Sequence, residues 1–307
     1  MRKFLFYLLL GVLAFSTLGC AQRKPAEPGI LVSTDWLQGQ MSDPGTILLH
    51  SGTEEGYDSL HIPGARLIIP RDFVVSNDSM QNELPPIDSI VNMLRKAGVN
   101  QDSRIVLYYE DADIIRWTTR VFISLEHAGL AGRVFVLNGG LPAWLEDEGE
   151  TSNVIESFSR GNLENVKPVE VTISASDLDR KRWLTDVVVI DVRSYDEYRG
   201  TPSNLEAAAE GGHIEGAYSL PYLGGILEED SHMFKSDADL EQAFLELGMD
   251  PSKTAIVYCN TGIRATVNYL AARHLGYPVF LFDGSFREWE RLELPLTRPV
   301  DKPEVNE

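Results

Sequence analysis

From about residue 30 onward, short runs rich in β-branched and aromatic residues alternate with stretches whose apolar positions recur at helical spacing. The first half reads TILLH (46–50), IDSIVNMLRKAG (87–98), RIVLYY (104–109), WTTRVFISLEHAG (117–129) and RVFVL (133–137). In the same order the second half reads DVVVID (186–191), DLEQAFLELG (239–248), TAIVYC (254–259), ATVNYLAARHLG (265–276) and PVFLF (278–282). Strands alternating with helices predict an α/β fold, each half being a mostly parallel sheet with helices on both faces.

The halves also share short motifs. HIPGA (61–65) returns as HIEGA (213–217), and LNGGLPAW (137–144) as FDGSFREW (282–289), so the chain carries two divergent copies of one unit. Between them, residues 146–168 lack sustained periodicity, which sets the predicted domains at 30–150 and 168–300. Two domains suit 307 residues of which 43% are hydrophobic.

Ahead of the first unit, residues 1–20 place Arg2 and Lys3 before an apolar run that ends in small residues and Cys20, the layout of a secretory leader and too short for a membrane span. The ending STLGC is similar to a bacterial lipobox, so Cys20 is the expected lipidation site and residues 21–29, AQRKPAEPG, a tether. The alternative is an ordinary cleaved leader. Both send the protein out of the cytoplasm, and the lipid form puts it at the bacterial cell envelope, membrane-anchored and facing the periplasm. The formal charge of −19, which becomes two units more negative with loss of the leader, argues against a nucleic-acid partner.

Lipidation of Cys20 would leave Cys259 as a lone thiol in a compartment that permits disulfides. Cys259 closes the run TAIVY and opens the loop Asn260, Thr261, Gly262, Ile263, Arg264 ahead of a helix. In parallel sheets ligands bind at the carboxyl ends of the strands, where this loop falls. Gly262 allows backbone N–H groups to gather around the cysteine, the helix N-terminus adds partial positive charge, and both favour a thiolate, the nucleophilic form of cysteine. Arg264 adds a permanent charge that can hold an anionic substrate. The competing reading, a structural thiol beside a turn glycine, leaves the arginine unexplained.

The motifs DVRSYDEY (191–198), GHIEGA (212–217), CNTGIRA (259–265) and DGSFREW (283–289), in this order, resemble the tandem two-domain form of the rhodanese family of sulfurtransferases. The resemblance implies an inactive first domain and a catalytic second, and aligning RIVLYYED with TAIVYCNT puts Tyr109 at the position of Cys259. It further implies that Cys259 takes the outer sulfur of a donor such as thiosulfate, keeps it as a persulfide and yields it to a thiol or cyanide acceptor, without a metal or organic cofactor. The histidines show no metal-ligand spacing. The loop separates its cysteine and arginine by four residues, where related dual-specificity phosphatases have five, which favours sulfur over phosphate chemistry.

The expected substrate-binding residues are Asn260, Thr261, Gly262, Ile263, Arg264 and Arg193, with Asp191 in support. Thr261 stands where thiosulfate enzymes resemble CRKGVTA and carry a lysine, and mercaptopyruvate enzymes have a CGSGVTA loop, so thiosulfate or another sulfane donor is expected over mercaptopyruvate. Glu197 replaces a second family arginine, for which Arg199 is a candidate substitute; the loss of two positive charges also admits a sulfur-carrier or partner-binding module without turnover. His213 and His61 read as turn-stabilising, Trp144 and Trp289 as packing residues, and 201–211 as either a lip over the pocket or a solvent loop.

Overall fold

The computed structural model describes residues 29–78, 80–200 and 211–298. The leader with Cys20, the tether up to residue 28, and positions 201–210 of the expected lip lie outside the described residues.

The first unit comprises β1 (Leu31–Val32), α1 (Thr34–Gln40), β2 (Thr46–Ser51), α2 (Glu54–Ser59), β3 (Arg66–Ile68), α3 (Ile87–Lys96), β4 (Arg104–Tyr109), α4 (Ile115–His127), β5 (Val134–Leu137) and α5 (Gly140–Glu146). The second comprises α6 (Ala175–Lys181), β6 (Val187–Asp191), α7 (Tyr195–Arg199), β7 (His213–Ile214), β8 (Tyr218–Ser219), α8 (Asp237–Glu246), β9 (Thr254–Tyr258), α9 (Ala265–His274), β10 (Val279–Leu281), α10 (Ser285–Arg291) and β11 (Leu296–Thr297). All pairings in the first sheet, β1-β5-β4-β2-β3, and in the second, β10-β9-β6-β8, are parallel. Thr172 bridges Leu281 at the edge of the second sheet as β1 pairs β5 in the first. A small antiparallel pair, β7-β11, stands apart.

Central strands covered on both faces read as continuous apolar runs, and β4 and β9 do so because every residue after the first is buried. Their helices face each other across the domain boundary: α4 is buried on nearly all sides from Trp117 to Glu126, and α9 from Ala265 to Ala272. One apolar cluster therefore runs through both units, holding Ile123 and Leu125 of α4 with Leu270 and Ala271 of α9. Polar contacts fix the register: Thr119 and Thr266 hydroxyls lie 2.6 Å apart, and Arg273 meets the Glu126 carboxylate at 3.2 Å. After Glu146, which ends α5, the aperiodic stretch up to residue 168 contains no helix or strand beyond a bridge residue at Ser152, but it is not a loose tether, since Leu163 is fully buried and the Gly161 N–H donates to the Arg95 carbonyl.

The duplicated residues do duplicated structural work. His61 stacks on Tyr57 and bonds its carbonyl at 2.6 Å; His213 stacks on Tyr198 and bonds its carbonyl at 2.9 Å. Trp144 and Trp289 are buried and donate to the backbone carbonyls of Glu150 and Pro295. A role repeated in the unit without a cysteine is a role in folding.

Candidate active site

β9 is flanked by β6 and β10, and Cys259 follows its last residue at the carboxyl edge of the second sheet. The thiol-bearing residue is 1% exposed. Its backbone is tied to the start of α10, with the Cys259 N–H donating to Ser285 Oγ at 3.2 Å and the Cys259 carbonyl accepting from the Phe286 N–H at 2.9 Å. The Asn260 carbonyl accepts from Arg287 N–H at 3.2 Å. Gly262 turns the loop at φ +82°, where a Cβ would sit 2.5 Å from Asp283 Oδ1 and 2.7 Å from its carbonyl oxygen. Only glycine fits there. Ile263 is buried, and Arg264 caps α9.

Beneath the loop lies a buried polar network. Asp191 ends β6 and accepts from Tyr258 Oη at 2.8 Å and from the Arg193 guanidinium at 2.7–3.1 Å. Arg193 also donates to the Gly212 carbonyl at 2.6 Å and to Asn260 Oδ1 at 3.5 Å, and lies 3.8 Å from the centre of the Phe286 ring. Burial opposes the arginine's charge, but Asp191 more than compensates and raises its pKa; burial and Asp191 both push the Tyr258 hydroxyl far up. Arg193, expected from sequence to contact substrate, is fully buried, and its guanidinium is engaged by Asp191, the Gly212 carbonyl and the Asn260 side chain. Removing one partner of such a pair leaves an uncompensated buried charge, at a cost of about 3–5 kcal/mol. Asp191 also accepts from the Arg193 backbone N–H at 2.9 Å.

Glu197 sits in the first turn of α7, where Ser194 and Glu197 form a capping box. From there its carboxylate binds Arg264 bidentately, at 2.9 and 2.8 Å, and accepts from Asn260 Nδ2 at 3.1 Å. Burial favours the protonated acid, but the Arg264 hydrogen bond and charge, the Ser194 N–H and Arg193 outweigh it and bring the pKa down to about 2. Arg199 does not take up this task; it is exposed, against the Tyr195 ring. A cavity of about 480 Å³ opens beside Arg264, walled among others by Tyr195, Leu220, Tyr222, Leu223 and Glu229.

The first unit shows what the site replaces. Tyr108 corresponds to Tyr258, and each hydroxyl accepts a backbone N–H at 3.1 Å, from Ile62 and Ile214. His50 stands at the place of Asp191, Gly52 at that of Arg193, and Glu110 at that of Asn260, its carboxylate tied to Thr53. Gly140 matches Ser285, both at positive φ; a Cβ at Gly140 would strike the Tyr109 ring at 2.5 Å. The smaller cysteine thus makes room for the serine that holds its backbone. Ser285, Asp283 and the Glu197–Arg264 pair were not read as site features from sequence, although DGSFREW and DVRSYDEY contain them.

The rhodanese-like domain model matches twice, at residues 33–147 and 174–292. The chain is 30% identical over 281 residues to the sulfur carrier protein TtuD of Thermus thermophilus, covering 87% of this chain and 95% of that one. It is 30% identical over 254 residues to the thiosulfate sulfurtransferase of Azotobacter vinelandii, covering 82% and 91%. Among solved structures, the 3-mercaptopyruvate sulfotransferase SseA from Escherichia coli superposes with a TM-score of 0.70 at 24% identity, over 84% of this chain and 98% of that one. The anaerobic ergothioneine biosynthesis enzyme from Chlorobium limicola gives 0.75 at 22%, over 88% and 70%. The duplicated parallel sheets, the cysteine loop of the second and these matches agree: the chain belongs to the rhodanese-like domain family and carries that domain twice in tandem.

Proposed function

We propose that this protein is a sulfurtransferase whose second domain moves sulfane sulfur through a persulfide on Cys259, and that the first domain is catalytically silent. The observation that carries the reading is the setting of Cys259 at the end of β9, in a loop with Gly262 at positive φ and Arg264 at the head of α9, where the first domain has Tyr109. The Cys259 thiolate attacks the outer sulfur of thiosulfate; the S–S bond of the donor breaks and its electron pair leaves with sulfite. An acceptor thiolate then attacks the terminal persulfide sulfur, forming an acceptor persulfide and restoring the Cys259 thiolate. Cyanide in that step gives thiocyanate. The cavity beside Arg264 has room for an organic thiol. Backbone groups of residues 260–263 and Arg264 face the donor in this scheme, with Arg193 and Asp191 acting from below. Supporting it, curated relatives are named thiosulfate sulfurtransferase.

A second reading, sulfur carriage without appreciable turnover, is favoured by the Glu197–Arg264 pair, which neutralises the loop's arginine, and by the similarity to a protein named as a sulfur carrier. Steady-state sulfite release from thiosulfate with a thiol present decides between them: many sulfites per chain mean turnover, and one per chain means carriage.

We assign the chain to the bacterial envelope, lipidated at Cys20 and facing the periplasm, on the leader-like pattern of residues 1–20. Membrane fractionation of the wild type and Cys20→Ala tests this, with release of the variant into the soluble fraction expected; equal partitioning would refute the anchor.

A further inference from the structure

The first domain lacks a cysteine loop of its own, yet it reaches into that of the second. Its segment 80–84 lies against residues 261 and 283. Asn82, held at φ +60°, donates from Nδ2 to Thr261 Oγ1 at 3.2 Å and to the Thr261 carbonyl at 3.4 Å. The Leu84 N–H donates to Asp283 Oδ2 at 3.2 Å. Arg120, on α4 and fully buried, forks onto both Asp283 oxygens at 2.5 and 2.9 Å, and the same guanidinium donates to the Asn82 carbonyl. Asp283 is the residue against which Gly262 packs. Arg120 thus holds both pieces that touch the loop, Asp283 on one side and the Asn82 backbone on the other.

The silent site has a reciprocal but weaker arrangement. There His232 of the second domain, also at positive φ, contacts the Ala112 carbonyl at 3.0 Å, and Asn138, the counterpart of Asp283, exchanges two hydrogen bonds with the Phe234 backbone. Both tie a loop through contacts with backbone groups. At Cys259 alone the aspartate is met by a buried arginine, whose bidentate geometry defines orientation as well as attraction.

We infer that Arg120 and Asn82 of the first domain are positioning residues of the Cys259 site, setting the cysteine loop through Asp283 and Thr261. A trans peptide carries its N–H opposite its carbonyl, so fixing the Thr261 carbonyl fixes the direction of the Gly262 N–H. The loop's donors are then arranged before an anion arrives. The silent domain completes the active one.

The inference rests on the sulfurtransferase reading for its kinetic arm but not for its structural arm. In the full chain, Asn82→Gly removes the side-chain donor and keeps a residue suited to positive φ; Arg120→Lys keeps the charge and loses the fork. For each, persulfide formation on Cys259 from thiosulfate is followed by mass, and amide hydrogen exchange is followed in the peptide containing 260–264. At saturating thiosulfate the rate is expected to fall about fivefold to tenfold for Asn82→Gly with KM within about twofold, and the 260–264 amides to exchange about tenfold faster. Arg120→Lys is expected to change both readouts in the same direction. Folded variants with wild-type rate and wild-type exchange overturn the proposal. If the wild type forms no persulfide with any donor, the sulfurtransferase reading falls, and the exchange measurement alone decides the clamp.

Discussion

The Glu197 carboxylate grips Arg264 through both guanidinium nitrogens, at 2.9 and 2.8 Å, so the one cation of the cysteine loop is met by an internal anion. In the proposed reaction an anionic donor bound at Arg264 competes with that carboxylate, and the opposition of burial by Arg264 leaves Glu197 ionised down to about pH 2. Glu197→Gln keeps the shape and removes the competitor. KM for thiosulfate is expected to fall about threefold to tenfold with a smaller change in kcat. An unchanged KM would remove Glu197 from donor selection. The pair also has a pH signature. Because the folded pKa lies below the ordinary 4.5, its contribution to stability is present above that pH and is lost as pH falls toward 2. Acid unfolding of Glu197→Gln, followed by circular dichroism between those limits, should be the less steep.

Cys259→Ser tests the chemistry directly. The hydroxyl is close in size to the thiol, and the backbone ties to Ser285 and Phe286 do not use the side chain. The melting temperature should therefore stay within a few degrees, since a near-isosteric buried change costs about 1 kcal/mol. Mass spectrometry after thiosulfate should show a gain of about 32 Da, one sulfur, on the wild type and none on the variant, and the gain should be lost to cyanide. A variant that retained sulfur transfer would move the nucleophile elsewhere.

Glu83 predicts a separate pH dependence at the domain boundary. Its Oε1 is buried without a hydrogen-bond partner among the described residues. Burial, then the nearby Asp283 and Glu288 charges, push its pKa up to about 7, against the pull of Arg120. The raised carboxyl pKa means that the folded state holds a proton the unfolded chain has already lost. Stability therefore declines as pH rises from about 4.5 to about 7. Glu83→Gln mimics the protonated form, so its melting temperature should match the wild type at about pH 5 and exceed it at about pH 8. Equal melting temperatures at both pH values would show that the ionised group reaches solvent.

How much of this was legible in the sequence depends on the length scale of each signal. RIVLYY and TAIVY announced β4 and β9 because a central parallel strand needs apolar residues on both faces. HIPGA and HIEGA marked the duplication and its two turn histidines, but not the tyrosines on which they stack. The cysteine loop was legible because Gly262 and Arg264 follow Cys259 within six residues. For Arg193, DVRSYDEY shows an arginine near the site but not that Asp191, two residues earlier, pairs with it beneath the loop. Arg120 and Asp283 lie 163 positions apart, and no periodicity or spacing joins them. Short elements such as α1 and α7 depend on single caps, Ser33 and Ser194, rather than on long apolar patterns. The strand framework was written in local runs; the polar ties between domains were not.

The loop after β4, with Tyr109 where β9 leads into Cys259, offers the sharpest test of what the cysteine loop requires. Tyr109→Cys places a thiol at the end of β4, in the position Cys259 holds on β9, but little else is transferred with it. Six residues separate position 109 from Arg116 where four separate Cys259 from Arg264, and that stretch contains no glycine. Glu110, its carboxylate tied to Thr53 N–H at 2.6 Å, follows position 109 where the amide Asn260 follows Cys259. Gly140, shaped to clear the tyrosine ring, brings no hydroxyl to hold the cysteine backbone. Losing a fully buried aromatic ring should cost about 3–5 kcal/mol, read as a lower melting temperature. After thiosulfate the variant should still gain one sulfur per chain, and in the Cys259→Ser background it should gain none. A second persulfide at position 109 would show that the end of the central strand suffices and that loop length, glycine and arginine do not decide reactivity.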